Sequence, residues 1–315
     1  MTKNSIIIDN SDILIRICGI NDKNLRKINT ISGFEIFSTG NEIHFDDDPS
    51  GKINRLIHSL ISIAENNGTV YSSLIEIVYK ELDNDTGIDL KSVMNSNIEI
   101  NKAKKVINPK TVNQGLYIRM LEKKDIVFSY GPAGTGKTFI AIAYAIKQLL
   151  DKNIKKLILT RPVVEAGESL GFLPGDFIQK INPYLVPLFD SINSLIDTET
   201  YAKLSSQGLI EIAPLAYMRG RTFNDAIVIL DEAQNSLHNQ MKMFLTRLGE
   251  NSKLFITGDI TQIDLPHKKK SGLVEAIRIL NRIPEIGFLE FEEKDVVRHP
   301  LVKKIVCAYE QYEKV

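Results

Sequence analysis

The sequence predicts an α/β fold with a mostly parallel sheet over residues 101–315, preceded by a smaller α+β unit over 1–100. Three observations predict it. Short apolar-rich runs recur at 126–130, 156–160, 226–230 and 253–257, which suits strands buried on both faces. Segments with apolar residues at helical spacing alternate with them, as β-α units that build a parallel sheet require. Between the two parts, residues 83–105 are rich in Asn, Asp and Lys. They read as a linker or a few exposed helical turns, with the domain boundary near residue 100.

In the first part, 13–20 (Ile-Leu-Ile-Arg-Ile-Cys-Gly-Ile) and 34–45 contain alternating apolar positions, with Thr39-Gly40-Asn41 as a turn, and read as strands. Residues 25–28 fit a short helix. Residues 52–64 fit a longer one, with Ile53, Leu56, Ile57, Leu60, Ile61 and Ala64 on one face. The expected unit is β-α-β-β-α.

In the second part, the run 126–130 leads directly into Gly131-Pro132-Ala133-Gly134-Thr135-Gly136-Lys137-Thr138, the phosphate-binding pattern G-x-x-x-x-G-K-T. Glycines there let the backbone turn tightly and aim N–H groups at a polyphosphate, and the positive end of the following helix adds to the attraction. Lys137 is expected on the β and γ phosphates of a nucleoside triphosphate. The Thr138 hydroxyl is expected on Mg²⁺, an ion that takes few protein ligands when it travels with phosphates. Residues 138–150 carry the helical pattern this loop needs behind it.

About 90 residues later, Ala226-Ile-Val-Ile-Leu ends in Asp231-Glu232, an apolar strand with two carboxylates at its carboxyl end. Asp231 is expected to hold Mg²⁺ and Glu232 to polarise the attacking water. The strand at 253–257 runs into Gly258-Asp259-Ile-Thr-Gln262, where Gln262 suits a γ-phosphate sensor and Asp259 and Gln262 otherwise suit a turn. The strand at 156–160 ends in Thr160-Arg161-Pro162, before a loop with Gly167, Gly171, Pro174 and Gly175. Helix signals follow over 184–196, an extended stretch over 209–213, and a basic turn over 214–221 with Arg219 and Arg221. A helix at 271–280, a strand at 287–291 and a helix at 301–312 close the alternation, with Arg298 between the last two.

The formal net charge is zero, but residues 1–101 hold 9 Lys+Arg against 15 Asp+Glu, and 102–315 hold 30 against 24. A net of +6 on the second part permits a polyanionic partner and equally fits a solvated surface. Cys18 and Cys307 are too few for a disulfide framework, and no Cys/His cluster has zinc spacing. A reducing cytoplasm is the expected compartment. The N-terminal residues turn polar too early for a signal peptide, and no run of ~18 apolar residues predicts a membrane span.

Several longer strings resemble the PhoH-like ATPases. Besides the phosphate loop they are Leu-Thr-Arg-Pro-Val-Val-Glu-Ala-Gly-Glu, Gly-Phe-Leu-Pro-Gly-Asp, Ala-Pro-Leu-Ala-Tyr-Met-Arg-Gly-Arg-Thr, Ile-Leu-Asp-Glu-Ala-Gln-Asn, Gln-Met-Lys-Met-Phe-Leu-Thr-Arg-Leu-Gly, Thr-Gly-Asp-Ile-Thr-Gln-Ile-Asp-Leu-Pro and Asp-Val-Val-Arg-His-Pro, within 108–312. The resemblance implies a RecA-like P-loop core, ATP hydrolysis, a ring-shaped homo-oligomer such as a hexamer, and a link to RNA metabolism. It also implies a small metal-dependent endoribonuclease as a partner, because such genes neighbour the family's genes in many bacteria. The N-terminal unit resembles the family's KH-like domain, although Gly19-Ile-Asn-Asp-Lys lacks the second glycine of an RNA-clamping G-x-x-G loop. Docking or oligomerisation is the other role open to it.

Gln114, followed by Gly and an aromatic ahead of the loop, resembles the adenine-reading segment of superfamily 1 helicases. For Arg298 a surface ion pair with Asp295 or Glu293 stands beside an arginine finger supplied across a ring interface, a contribution on the order of 10³-fold to turnover. Arg161, Arg219 and Arg221 are the candidate RNA contacts. An RNA-linked ATPase leads. A nucleotide-gated assembly module that controls a ribonuclease is the alternative, and a small-molecule kinase is disfavoured because Glu232 beside Asp231 suits water activation. A single motor core does not imply strand separation.

Overall fold

The computed structural model of the chain describes residues 3–65, 70, 72–82, 93, 96–162, 177–266, 270–297, 301 and 305. They divide into two compact units, residues 1–97 with 108–116, and residues 98–107 with 117–315.

The first unit is α+β. Strand β1 (Lys3–Ile7) is followed by helices α1 (Ser11–Cys18) and α2 (Lys23–Ser32), strands β2 (Ile36–Thr39) and β3 (Glu42–Asp46), and helices α3 (Lys52–Glu65) and α4 (Ser72–Glu81). The strands pair antiparallel in the order β1-β3-β2. The strand expected at 13–20 is instead α1. Asn10 caps it by accepting from the Asp12 and Ile13 N–H groups, and Gly19 closes it at φ 71°. Ile17 and Cys18 turn inward while Ile15 is 65% exposed, a sorting by helical rather than alternating period. Ile28, Ile43, Ile53, Leu56 and Leu60 fill the core with no exposure.

The polar stretch before residue 105 contributes to the second unit. There β4 (Ile98–Ile100) and β5 (Lys105–Ile107) form an antiparallel ribbon, its Ile98 and Ile100 each 1% exposed. Helix α5 (Val112–Lys123) precedes β6 (Ile126–Tyr130), α6 (Lys137–Leu150) and β7 (Lys156–Arg161). Then come α7 (Phe177–Asn193), α8 (Thr198–Ser206), β8 (Ile210–Pro214), β9 (Ala226–Leu230), α9 (His238–Leu245), β10 (Lys253–Gly258), α10 (Gly272–Leu280) and β11 (Ile286–Glu290). Of the helix expected at 301–312, only 301 and 305 are among the described residues.

The six strands pair in parallel in the order β11-β6-β10-β9-β7-β8. Successive strand residues point to opposite faces, which explains why the runs are apolar throughout. Val127, Leu157, Ile227, Ile229 and Phe255 pack on one face with Ile140, Ala143 and Ile146 of α6. Phe128, Ile158, Val228, Leu230 and Ile256 pack on the other with Met241 and Phe244 of α9 and Leu273 of α10. Each fully buried side chain contributes about 1.5–3 kcal/mol, so Ile229→Ala, in the middle of one face, costs about 2–5 kcal/mol.

Candidate nucleotide-binding site

Parallel pairing brings the carboxyl ends of β6, β7, β9 and β10 to one edge of the sheet, the edge at which open α/β sheets bind ligands. There β6 passes into the loop 131–136, and α6 starts at Lys137. Gly131, Gly134 and Gly136 carry the loop through φ of 130°, 82° and 85°, values that L side chains resist. At Gly131 an added Cβ would also run into the Phe291 carbonyl. A cavity of about 270 Å³ opens on this loop, lined by Ala133, Gly134, Gly136, Lys137, Thr138, Phe139, Ser191, Asp231, Glu232, Gly258, Asp259 and Gln262. Pro132 and Thr135 face Lys137 from within the loop. The ammonium donates to the Gly131 and Pro132 carbonyls at 2.8 and 2.7 Å and to Thr135 Oγ1 at 3.1 Å. Burial lowers the Lys137 pKa, against the pull of Asp259, Asp231 and Glu232.

Asp231 ends β9 as a fully engaged carboxylate. Its Oδ1 accepts from the hydroxyls of Thr138 and Thr257, both at 2.7 Å, and its Oδ2 accepts from Arg161 Nη2 at 2.8 Å. The hydroxyl of Thr138 and the carboxylate of Asp231 are hard oxygen donors beside a phosphate-binding loop, the donor set that suits Mg²⁺.

Glu232 adopts a left-handed backbone, φ 51° and ψ 39°, which for a residue with a Cβ costs roughly 1–2 kcal/mol. Such strain persists only where surroundings fix it. Arg161 Nη2 donates to Glu232 Oε1 at 3.1 Å, and Gln234 Nε2 donates to Oε2 at 2.5 Å. Burial, then the charge of Asp231, raise the Glu232 pKa above the usual carboxylate value. A carboxylate so placed is a better proton acceptor.

Gln234 is 1% exposed. Its Nε2 also donates to the Gln262 carbonyl at 3.2 Å, and its Oε1 accepts from the Asp259 N–H at 2.9 Å. Gly258 leaves it room, since a Cβ there would lie 2.8 Å from Gln234 Oε1. Gln234 and Thr257 are not among the residues the sequence marks for the site. A polar residue fully inside an apolar strand, as Thr257 is, was the available signal.

Arg161 sits on the two acidic residues, its side chain 15% exposed. Arg221 is paired with Glu211, Nη1 at 2.6 Å and Nη2 at 2.9 Å, and its guanidinium lies 5.2 Å from the Phe223 ring centre. Arg219 is exposed on the same turn. Gln114 belongs to the first unit, is 5% exposed, and its Oε1 accepts from the Lys110 N–H at 2.7 Å. Arg298 and residues 163–176, where the loop with Gly167, Gly171, Pro174 and Gly175 was expected, lie outside the described residues. Val297, the residue before Arg298, donates its N–H to the Gly134 carbonyl at 2.9 Å.

A phosphate-cradling loop and an acidic strand end thus share one crevice of a parallel sheet, and this makes the chain a nucleotide-binding protein of the P-loop class. The PhoH-like protein family matches residues 106–310, and the chain belongs to that family. It is 44% identical over 304 residues to the PhoH-like protein of Mycobacterium tuberculosis (strain ATCC 25618 / H37Rv), covering 96% of this chain and 86% of the relative. The PhoH-like protein of Bacillus subtilis (strain 168) is also 44% identical over 304 residues, covering 96% of this chain and 95% of its own. Protein PhoH of Escherichia coli (strain K12) is 46% identical over 195 residues, 61% of this chain and 55% of its own. A solved chain from a complex of Pif1 helicases at forked DNA aligns over 60% of this chain and 44% of its own, at 15% identity. Its TM-score of 0.25 is too low to carry an argument. Among the described residues no helix is long and apolar enough to cross a membrane, and no cluster of His, Cys, Asp and Glu could hold a metal ion by itself.

Proposed function

We propose that the protein hydrolyses ATP at this site with Mg²⁺ and couples hydrolysis to rearrangement of RNA or an RNA–protein complex. The observation that carries the hydrolytic part is the 2.7 Å contact between the Thr138 hydroxyl and the Asp231 carboxylate, with Glu232 adjoining it. Glycine N–H groups of the loop bind the phosphates, and Lys137 exchanges its loop carbonyls for the β and γ oxygens. Thr138 and Asp231 would hold Mg²⁺, which when bound neutralises charge on those oxygens. Glu232 orients the attacking water and receives one of its protons, while Gln234 keeps the carboxylate in position. Gln262, on the loop tied to Gln234, reports the γ phosphate.

For RNA, the support is the net-basic second part of the chain and an exposed turn at the carboxyl end of β8. Tyr217 is 53% exposed there, beside the exposed Arg219, an aromatic and a cation of the kinds that stack on bases and meet phosphates. Phosphate release by the purified chain, with and without single-stranded RNA, tests both parts. ATP turnover that RNA stimulates supports the reading. Turnover indifferent to RNA, with no salt-sensitive RNA binding, would favour a nucleotide-gated module acting on a partner ribonuclease.

A further inference from the structure

In the sheet, β10 lies between the strand that carries the phosphate loop and the strand that carries the acidic pair. Its carboxyl end therefore points between Lys137 and Glu232. Thr257 already bridges the two sides, because its hydroxyl donates to Asp231 and lies 3.3 Å from that of Thr138. Two residues further, Asp259 lines the same cavity.

Asp259 is 5% exposed, and its carboxylate is held through one oxygen by Thr261. The Thr261 N–H and hydroxyl donate to Oδ1 at 2.9 and 2.6 Å. Its own N–H is held by Gln234 Oε1 at 2.9 Å. The other oxygen, Oδ2, is buried and has no hydrogen-bond partner among the described residues. A buried acceptor left unpaired is destabilising. Asp259 lines the cavity together with Gly134, Gly136, Lys137 and Thr138 of the phosphate loop, and its charge acts on Lys137. The turn needs only Oδ1. Among the described residues nothing donates to Oδ2, and an unpaired buried group of this kind calls for an explanation.

We propose that Asp259 is a further catalytic residue, whose Oδ2 accepts a hydrogen bond from the attacking water alongside Glu232. The inference rests on the hydrolysis reading above. The water oxygen bonds to the γ phosphorus as the bond from that phosphorus to the bridging oxygen breaks, its electron pair leaving with ADP. One water proton passes to Glu232 and from there to the released phosphate. The other, held by Asp259 Oδ2, stays on the oxygen that becomes part of that phosphate. Two acceptors fix the direction of the water's lone pair where one would let it swing.

Asp259→Asn in the full chain tests this. The amide oxygen can still accept from Thr261, while Nδ2 replaces the acceptor Oδ2 with a donor. Three quantities are measured: phosphate release, affinity for a non-hydrolysable ATP analogue with Mg²⁺, and Tm without nucleotide. The expected result is a kcat lowered about 100-fold or more, an analogue affinity within about threefold of wild type, and a Tm equal to or above it. Thr261→Val, which removes one bond of the same turn, should keep kcat within about threefold. An Asp259→Asn variant with kcat near wild type would overturn the proposal, as would one that loses analogue affinity in parallel or has a lowered Tm. Equal loss in Thr261→Val would reduce Asp259 to shaping the turn and overturn it too. A wild type that binds the analogue and releases no phosphate would overturn the hydrolysis reading and this inference together. An active wild type beside an unimpaired Asp259→Asn would overturn this inference alone.

Discussion

Gln234 holds Glu232 by a 2.5 Å hydrogen bond from Nε2 to Oε2, and the opposite end of the same amide accepts from the Asp259 N–H at 2.9 Å. One buried side chain therefore joins the carboxylate proposed to activate water to the loop proposed to sense the γ phosphate. The left-handed backbone of Glu232 is strained, and this amide is one of the contacts that fix it in place.

Gln234→Leu should expose how much depends on that amide. The Asp259 N–H loses its buried acceptor and the Gln262 carbonyl loses a donor, so stability should fall by about 2–4 kcal/mol in urea denaturation. Turnover should fall at least about tenfold with little change in analogue affinity, because the amide touches Glu232 rather than nucleotide. Unchanged kcat and stability would show the network to be dispensable.

Lys137→Ala should behave in the opposite way. Among the described residues the ammonium donates only to its own loop, so the fold should survive, with Tm close to wild type. Affinity for the Mg²⁺-loaded analogue should drop about 100-fold or more, because the cation for the β and γ phosphates is gone. A fluorescence titration reads this directly, and unimpaired binding would remove Lys137 from the phosphate site.

The pairing of Arg221 with Glu211 makes a stability prediction. Arg221, helped by Lys156, holds the Glu211 carboxyl down to about 2 from its ordinary 4.5. A carboxyl with a depressed folded pKa contributes stability that is complete above its unfolded value and lost as pH falls toward the folded one. Between pH 5 and pH 2, wild type should therefore lose about 2 kcal/mol more than Glu211→Gln, a figure that allows for the residue's partial exposure. Parallel pH profiles for the two proteins in urea denaturation would contradict this.

The same pairing divides the RNA candidates. Arg219→Ala should weaken binding of single-stranded RNA and flatten the log–log salt dependence by about one unit. Arg221→Ala should show itself first as lost stability, since its guanidinium is bound to Glu211. A salt slope unchanged in Arg219→Ala would take that residue out of the RNA surface.

What the sequence disclosed depended on how far apart the interacting residues lie. The phosphate loop is contiguous, so its residue types and the strand and helix around it were legible directly. Arg161 was read as an RNA contact because its acidic partners are 70 and 71 residues away, a pairing that exists only once β7 and β9 are neighbours. Gln234 was passed over for the same reason, its carbonyl partner being 28 residues on. The misreading of 13–20 has a local cause. An eight-residue run with Ile at alternate positions satisfies strand alternation and helical spacing equally well. The decisive signs were the flanking caps Asn10 and Gly19. The ribbon at 98–107 lay hidden in a polar stretch because only Ile98 and Ile100 are buried.

The most direct test of the whole account is phosphate release by Glu232→Gln beside wild type at saturating Mg-ATP, with nucleotide affinity measured in the same samples. The amide is nearly isosteric but cannot take a proton from water. The expected result is affinity within about threefold of wild type and turnover lowered about 100-fold or more. A Glu232→Gln variant that turns over ATP like wild type, or a wild type that binds ATP and never hydrolyses it, would contradict the account.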